Sequence, residues 1–523
     1  MASAIPAIEP NLITSPQTYR VRGQKSAYVY PDVRLTPQDT ERLVNLNFTE
    51  RQTMKKRFGF DEWIAAQITE SGNGKDLVGL KQVEFKAGER QVEVAGTKVY
   101  ANDGTTRKDI TGTAQTDSAD ARVRFAFMQD TLLGTNGTNQ VWTWGGDFAT
   151  PTVAANLAGV PFTTCEDLVL HRNVLVALNT TEGGTVQTTR ARWCDVDAEF
   201  FTVDVTNWPT NNRTEIYHDG AAILGGVDFD SKLLIIKKDG VYPTQLFVNV
   251  GYIELRIFEE SVSRGFQPIA KHSIIGHPNF AFFIARDGAY ALGHDLRPRN
   301  VTLPIQQTWF NDLNQSRLQY AVSFVRQKDH QVRTLLSSAA NNTGHDRVLV
   351  WDWETDDVWI DELPISINYA ASWILSDVEY DILGGATGYT YRGNDPLLAD
   401  DNGADINWEA RTAPNDLQLP GREKNIIKVD TIYRPQVGQQ DISFELIRNQ
   451  GQLQPVAATL DTSIDLTWNS GLTWNSGEKW PGGTEAVVTT FINRNAQTVQ
   501  ARWTGDANID LIGYRVHFEV TEQ

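Results

Sequence analysis

The stretch Arg347–Ile360, RVLVWDWETDDVWI, constrains the fold of this chain more than any other. Val348, Val350, Trp351 and Trp353 read as one alternating strand. Glu354-Thr355-Asp356-Asp357 forms a tight polar turn, and Val358-Trp359-Ile360 starts the return strand. Weaker copies of this hairpin recur at wide but fairly regular spacing, which is the signature of a repeat architecture.

Six β-rich units follow one another. The first is RFAFMQDTLLGTNGTNQVWTW (Arg124–Trp144), with Phe125 and Phe127 alternating, an Asn136-Gly137 turn, and Trp142 and Trp144 on the next strand. The second is DLVLHRNVLVALNT (Asp167–Thr180), continued by TRARWCDV (Thr189–Val196) and Phe200-Phe201. The third (Ser231–Phe247) turns at Asp239-Gly240 and the fourth (Asn279–Gly293) at Asp287-Gly288. The fifth runs from Ala321 through the opening hairpin, whose Trp351 and Trp353 then read mainly as packing between blades. The sixth, Ala371–Asp395, alternates Tyr389 and Tyr391. The unit starts lie about 40 to 65 residues apart, and a four-stranded propeller blade needs roughly 40 to 50. Trp63–Thr113 holds more strand-like sequence and is expected to open or close the ring. Leu303–Arg317 reads as a helical insert. The expected fold is all-β: a six-bladed β-propeller over residues 58–395, with a seventh blade allowed.

The flanks read differently. Residues 1–57 are expected to form an extended arm with one short helix. Thr36 would cap it, Pro37 and Asp39 would fill its first turn, and it would run to about Asn45 with Leu43 and Val44 inward. Lys55-Lys56-Arg57 reads as a solvated strand edge, with an anion site as the alternative. Residues 396–424 are a polar linker. Residues 425–523 alternate regularly (Asn425–Pro435, Ile442–Gln450, Glu485–Gly505, Ile509–Val520) and suggest a C-terminal antiparallel β-sandwich. Within it the hexamer LTWNSG occurs twice in succession and is followed by Glu478-Lys479-Trp480. Trp468, Trp474 and Trp480 thus fall at equal six-residue spacing, on one side of an extended chain. The row is a possible interaction surface, a sticky tip or glycan platform; a Trp ladder inside a protruding hairpin or against another subunit is the alternative.

Composition agrees with an all-β chain. The 523 residues include 15 Trp and 40 Gly but only 3 Met, and they can hold two or three domains. The formal charge of −18 argues against a surface built to grip phosphate along the whole chain. Cys165 and Cys194 are too few for a disulfide framework and read as two buried thiols, with a structural pair as the alternative. The opening MASAIPAIEPNLI lacks a basic region and a long apolar core, so no signal peptide is expected. No apolar run approaches the ~20 residues that cross a bilayer.

Catalytic signatures are missing from the sequence. It has no phosphate-binding loop, no strand-linked GxGxxG, no HExxH and no GxSxG elbow. The eight His are scattered, and pairs such as His272/His277 lack metal-ligand context. Asp356/Asp357 and Asp400/Asp401 read as turn groups, not as an acid–base pair. The loop Asp395–Asp405 lacks the glycine and closing glutamate of an EF-hand. Neither sialidase Asp-boxes nor WD40 signatures are present. No enzyme activity, cofactor or metal is expected.

Four segments in order do resemble a known group. They are Leu35-Thr36-Pro37-x-Asp39 followed by Lys56-Arg57-Phe58-Gly59-Phe60; Arg190-Ala191-Arg192-Trp193-Cys194-Asp195 followed by Phe200-Phe201, with Cys194 where the group has Ser; Phe283-Ile284-Ala285-Arg286-Asp287-Gly288-Ala289-Tyr290; and the opening hairpin. Together they resemble the propeller proteins of short-tailed bacteriophage tails, called tail nozzle, tail hub or DNA-stabilisation proteins. The resemblance covers about residues 30–395, and the C-terminal sandwich departs from it. It implies a structural protein of the virion tail, assembled in the host cytoplasm as a homo-oligomeric ring, commonly a hexamer. A portal-adaptor protein would lie above it and fibres or a needle protein below. Viral double-stranded DNA would pass through without sequence-specific binding. A glycan- or receptor-binding propeller that serves in adsorption is the alternative.

Overall fold

The computed structural model describes residues 17–20, 22–24, 39–48, 54–64, 66–149, 154–196, 203–217, 220–249, 252–258, 262–375, 377–417, 419–434, 436–437, 441–461, 463–464 and 486–520. They fall into two compact units. One holds Gly59–Val358 and Glu362–Gly403. The other holds the described residues up to Phe58, Trp359–Asp361, and those from Ala404 onward.

The larger unit is a β-propeller, with seven four-stranded blades among the described residues. Blade 1 is Leu77–Phe85, Gly88–Ala95, Lys98–Asn102 and Arg107–Asp109. Blades 2 to 5 begin at Arg124–Met128, Thr164–His171, Ile223–Phe229 and Pro268–His277, and each continues outward through three further strands. Blade 6 is Val322–Arg326, Gln331–Leu336, His345–Asp352 and the start of Val358–Leu375. That 18-residue strand runs straight on as the inner strand of blade 7, where it pairs with Val378–Gly385 from Ile367 onward. The first strands of successive blades lie side by side, and blade 7 returns to blade 1. The sequence showed six anchors; the seventh blade is the strand-like region before the first of them.

Blade 7 is completed from the far end of the chain. Its outer strand is Gly59–Ile64, antiparallel to Thr390–Asp395. Gly59 makes that docking possible: a Cβ there would lie 1.7 Å from the Asp400 carbonyl oxygen. Phe60, 1% exposed, meets the Tyr391 ring edge-on at 5.5 Å. The seam with blade 1 is polar and fully paired at Glu93. This carboxylate accepts Asn102 Nδ2 at 2.7 Å, Arg107 Nε at 2.6 Å and Thr390 Oγ1 at 3.2 Å.

The apolar core lies between neighbouring blades. Phe85 of blade 1 packs on Trp144 of blade 2 at 5.0 Å, and Phe282 of blade 5 stacks on Trp351 of blade 6 at 5.8 Å. Second strands are covered on both faces, so Phe280–Ala285 is buried at all six positions and carries an unbroken apolar run. The Asp-Gly turns of blades 4 and 5 are built alike: Tyr242 donates to Asp239 at 2.6 Å and Tyr290 to Asp287 at 2.7 Å. The expected helical insert contains the helix Gln306–Asn311, anchored by a fully buried Trp309.

The second unit is a sandwich of two six-stranded sheets drawn from both ends of the chain. One sheet sets Gln17–Arg20 and Met54–Lys56 along Asp510–Val520, beside Lys424–Tyr433 and Ala486–Ala496. The other places Arg22–Gln24 and Asp39–Val44 beside Trp408–Thr412, then Val499–Gly505, Asp441–Arg448 and Leu453–Asp461. Trp503 joins the layers: its Nε1 donates to Thr431 at 3.1 Å and its ring meets Tyr514 at 5.5 Å.

Three expectations about the flanks change here. Asp39–Val44 is a strand, not the expected helix, because pairing with Trp408–Thr412 buries Thr40 and Leu43 completely; Thr36 to Gln38 lie outside the described residues. The expected linker contains Trp408–Thr412, an inner strand of the sandwich. Lys55-Lys56-Arg57 is not a solvated edge. Lys56 and Arg57 are 6% and 5% exposed; Lys56 donates to the Asp506 carbonyl and Arg57 Nε to Asn45 Oδ1 at 3.0 Å.

Candidate functional site

Propellers commonly place ligands on their axis, where the first strands converge, and here the axis is crossed by charge. Arg124, on the first strand of blade 2, forks onto Asp167 of blade 3 at 2.9 and 3.0 Å. It also donates to the Ile274 carbonyl of blade 5 at 3.0 Å. Asp167, 1% exposed, accepts the Gly226 amide at 2.9 Å as well. Burial works against the charge on Arg124, and Asp167 outweighs it, so the guanidinium is held above its ordinary value. Tyr369 of blade 7 donates to the Val123 carbonyl at 2.9 Å, and burial pushes its phenol up to about 12. These groups make the axis a packed polar plug.

Beside the plug, Ser337 Oγ lies 3.0 Å from His345 Nδ1, a spacing that suits nucleophile and base. The hydroxyl donates instead to the Gly344 carbonyl at 2.6 Å, and both residues are buried. Burial and the Arg122 guanidinium hold His345 well below its usual range, hence neutral. The histidine–carboxylate contacts His171–Asp228 (2.8 Å) and His517–Asp430 (2.7 Å) tie neighbouring strands together. Among the described residues no three His, Cys, Asp or Glu are grouped to hold a metal.

The hairpin read first in the sequence lines a second feature, a cleft of about 440 Å³ between blades 5 and 6. Trp351 is 2% exposed and packs on Phe280 at 5.1 Å. Trp353 lies in the turn, half-buried, against His277 at 4.7 Å and Phe280 at 5.3 Å. Asn279, Asp295, Arg297 and Arg299 ring the opening. Aromatic faces beside hydrogen-bonding groups suit a sugar ring. Sequence reasoning assigned this Trp pair to packing. That fits Trp351; the half-buried face of Trp353 depends on the turn geometry.

The remaining sequence candidates are placed as follows. Trp468, Trp474 and Trp480 lie outside the described residues. Asp356 accepts Trp351 Nε1 at 3.0 Å and pairs with Arg299. In the loop after blade 7, Asp395 accepts the Leu397 amide at 3.0 Å and Asp400 the Gly403 amide at 2.9 Å, so these carboxylates shape turns. Cys165 and Cys194 are both buried and are not joined in a disulfide. Among the described residues no helix is long and apolar enough to cross a membrane.

No family model matches this chain. No curated protein sequence matches it either. Among solved structures it is similar to the WD40 domain of Neurospora crassa Pan2, at 7% identity and a TM-score of 0.40, over 67% of this chain and 99% of that one. The propeller assignment stands on the seven sheets and their order, not on that likeness.

Proposed function

We propose that this chain is a structural ring component of a short-tailed phage tail, of the nozzle or hub type, which extends the DNA channel and helps retain the packaged genome. The observation that carries the proposal is how each unit is closed. The propeller is locked by Gly59–Ile64 and the sandwich by strands within 17–56, all from the N-terminal side of the chain. A strand paired along its length resists tension as a set of bonds that must break together, which suits a part under load.

Two further points support the reading. The described parts of the motifs that carry the resemblance sit in structural positions: the closing strand with Gly59, the third strand of blade 3, the Asp-Gly hairpin of blade 5, and the outer hairpin of blade 6. With the axis plugged, DNA would have to run through the lumen of a ring of copies, since duplex DNA has a major groove of about 12 Å alone. Six copies would together carry about −108, six times −18. A lumen of that sign would let phosphate slide with little adhesion.

Native mass measurement of the purified chain, alone and with a portal-adaptor partner, tests the proposal: ring formation supports it, and a monomer in both conditions refutes it. In an imaged ring, a neutral or basic lumen wall would refute the sliding argument. The cleft at Trp353 favours one second reading, glycan binding during adsorption. Glycan-array binding lost on Trp353→Ala, with the fold retained, would establish it.

A further inference from the structure

At one end of the plug, where the first strands of blades 4 to 6 enter the axis, lies a cavity of about 470 Å³. It is lined by Lys238, Lys271, His272, Arg286 and Asp120, among others. Lys238 and Arg286 come from the second turns of blades 4 and 5, and His272 from the first strand of blade 5. The charges do not cancel. Asp120 faces Arg317 at 3.8 Å and Lys271 binds Glu166 at 2.6 Å. Lys238 and Arg286, both exposed, have no side-chain partner among the described residues. In a chain of net charge −18 this is a locally cationic mouth.

The cavity floor is incomplete by itself. His272 is 5% exposed, yet neither ring nitrogen has a hydrogen-bond partner among the described residues. Burial, then the charges of Lys271, Arg124 and Arg122, hold its imidazole well below the usual range, so it presents one donor and one acceptor. Arg122 lies behind it, fully buried, with Nη1 also unpartnered and its guanidinium 5.3 Å from the ring of Tyr320, which lines the same cavity. A buried polar ring with neither nitrogen paired costs stability unless a hydrogen-bonding group reaches it. Nothing in the plug requires that cost, since Arg124, Asp167 and Tyr369 are satisfied without His272.

We infer that this cavity binds a small phosphomonoester, with the phosphate held at the rim by Lys238 and Arg286 and a hydroxyl-bearing body against His272. Charge-assisted bonds from Lys and Arg select the oxyanion. The volume lies in the range of about 300 to 1,000 Å³ typical of small-molecule sites and exceeds the needs of inorganic phosphate. Because His272 is neutral, the floor recognises hydrogen-bonding groups and not a second charge.

Isothermal titration of the full chain with ribose 5-phosphate, inorganic phosphate and ribose tests the inference. Ribose 5-phosphate should bind saturably and about tenfold or more tighter than either fragment. Lys238→Ala/Arg286→Ala, at two exposed positions, should weaken it by about tenfold or more. His272→Phe should abolish the preference for the ester over phosphate while leaving the thermal midpoint unchanged or raised, because an unsatisfied ring is replaced by an apolar one. Three results would overturn the inference: no saturable binding of ribose 5-phosphate, equal affinity for ribose, or affinity unchanged in both variants. Binding of a short DNA duplex that depends on Lys238 and Arg286, without binding of ribose 5-phosphate, would overturn it too and reassign the cations to backbone phosphate.

Discussion

Replacing Asp381 by asparagine should destabilise the propeller by about 3–5 kcal/mol, the range for a buried ion pair that loses one partner. Asp381 sits on the second strand of blade 7 and is 5% exposed. One oxygen accepts Arg326 Nη1 from blade 6, and the other accepts Arg333 Nη1 at 2.6 Å. The two arginine side chains are 2% and 6% exposed. Arg326 also donates its Nε at 2.8 Å to Asp329, whose side chain is 39% exposed. Asparagine keeps the shape, but it removes the charge and turns a donor towards one of the guanidiniums. Two buried cations then lose the buried carboxylate they share, a different situation from a surface pair worth about 0–1 kcal/mol. Chemical unfolding of wild type and variant, with the propeller transition fitted separately from the sandwich, measures the loss. The pH dependence gives a second check. Burial alone would raise the Asp381 acid, and Arg326 and Arg333 outweigh it, so its folded value lies below the ordinary one. Such a group contributes stability in full above its unfolded value of about 3.9 and loses it as pH falls through the folded value. The difference between wild type and variant should therefore hold from neutral pH to about 5 and shrink below about 4. A loss under about 1 kcal/mol at neutral pH, or a difference that does not shrink in acid, would refute the reasoning.

Other consequences follow from single contacts. Gly59→Ala puts a Cβ 1.7 Å from the Asp400 oxygen, so the closing strand should detach and the amides of Thr390–Asp395 should exchange faster with solvent; unchanged exchange would show that the closure tolerates it. Burial pushes the Cys165 thiol up to about 12, so native protein should not react there with a disulfide reagent at pH 8, and both cysteines should react after denaturation. Trp503→Phe removes the donor to Thr431 across the sandwich and should cost about 1–2 kcal/mol in that unit's unfolding transition, while the propeller transition stays where it was.

The parts legible in the sequence are those whose signal is local. The Asp-Gly turns at 239–240 and 287–288 announce themselves because the turn needs that chemistry and the flanking strands alternate visibly. Trp351 was readable as packing because an aromatic on a buried strand has few other uses, and it does pack on Phe280 and Phe282. His272 was noticed only as a member of a pair without ligand spacing. Its open nitrogens follow from neighbours on other blades, which no window of sequence contains. The basic run at Lys55-Lys56-Arg57 misled for the same reason: Asn45 and Asp506, which bury it, are not its sequence neighbours.

By itself the sequence determined that this chain is built of β-hairpins, with aromatic faces needing neighbours and polar turns between them, and roughly where each hairpin lies. Alternation and turn residues are properties of a few consecutive positions, so they survive in a linear reading. Only the tertiary structure decided which strands close the two units, that Arg124 bridges the axis, and that a cationic mouth sits over an unsatisfied histidine. Those outcomes depend on partners tens to hundreds of residues apart, brought together by ring closure and sheet pairing. Long-range pairing has no period to read, and the packing of apolar faces chooses among many possible partners at once.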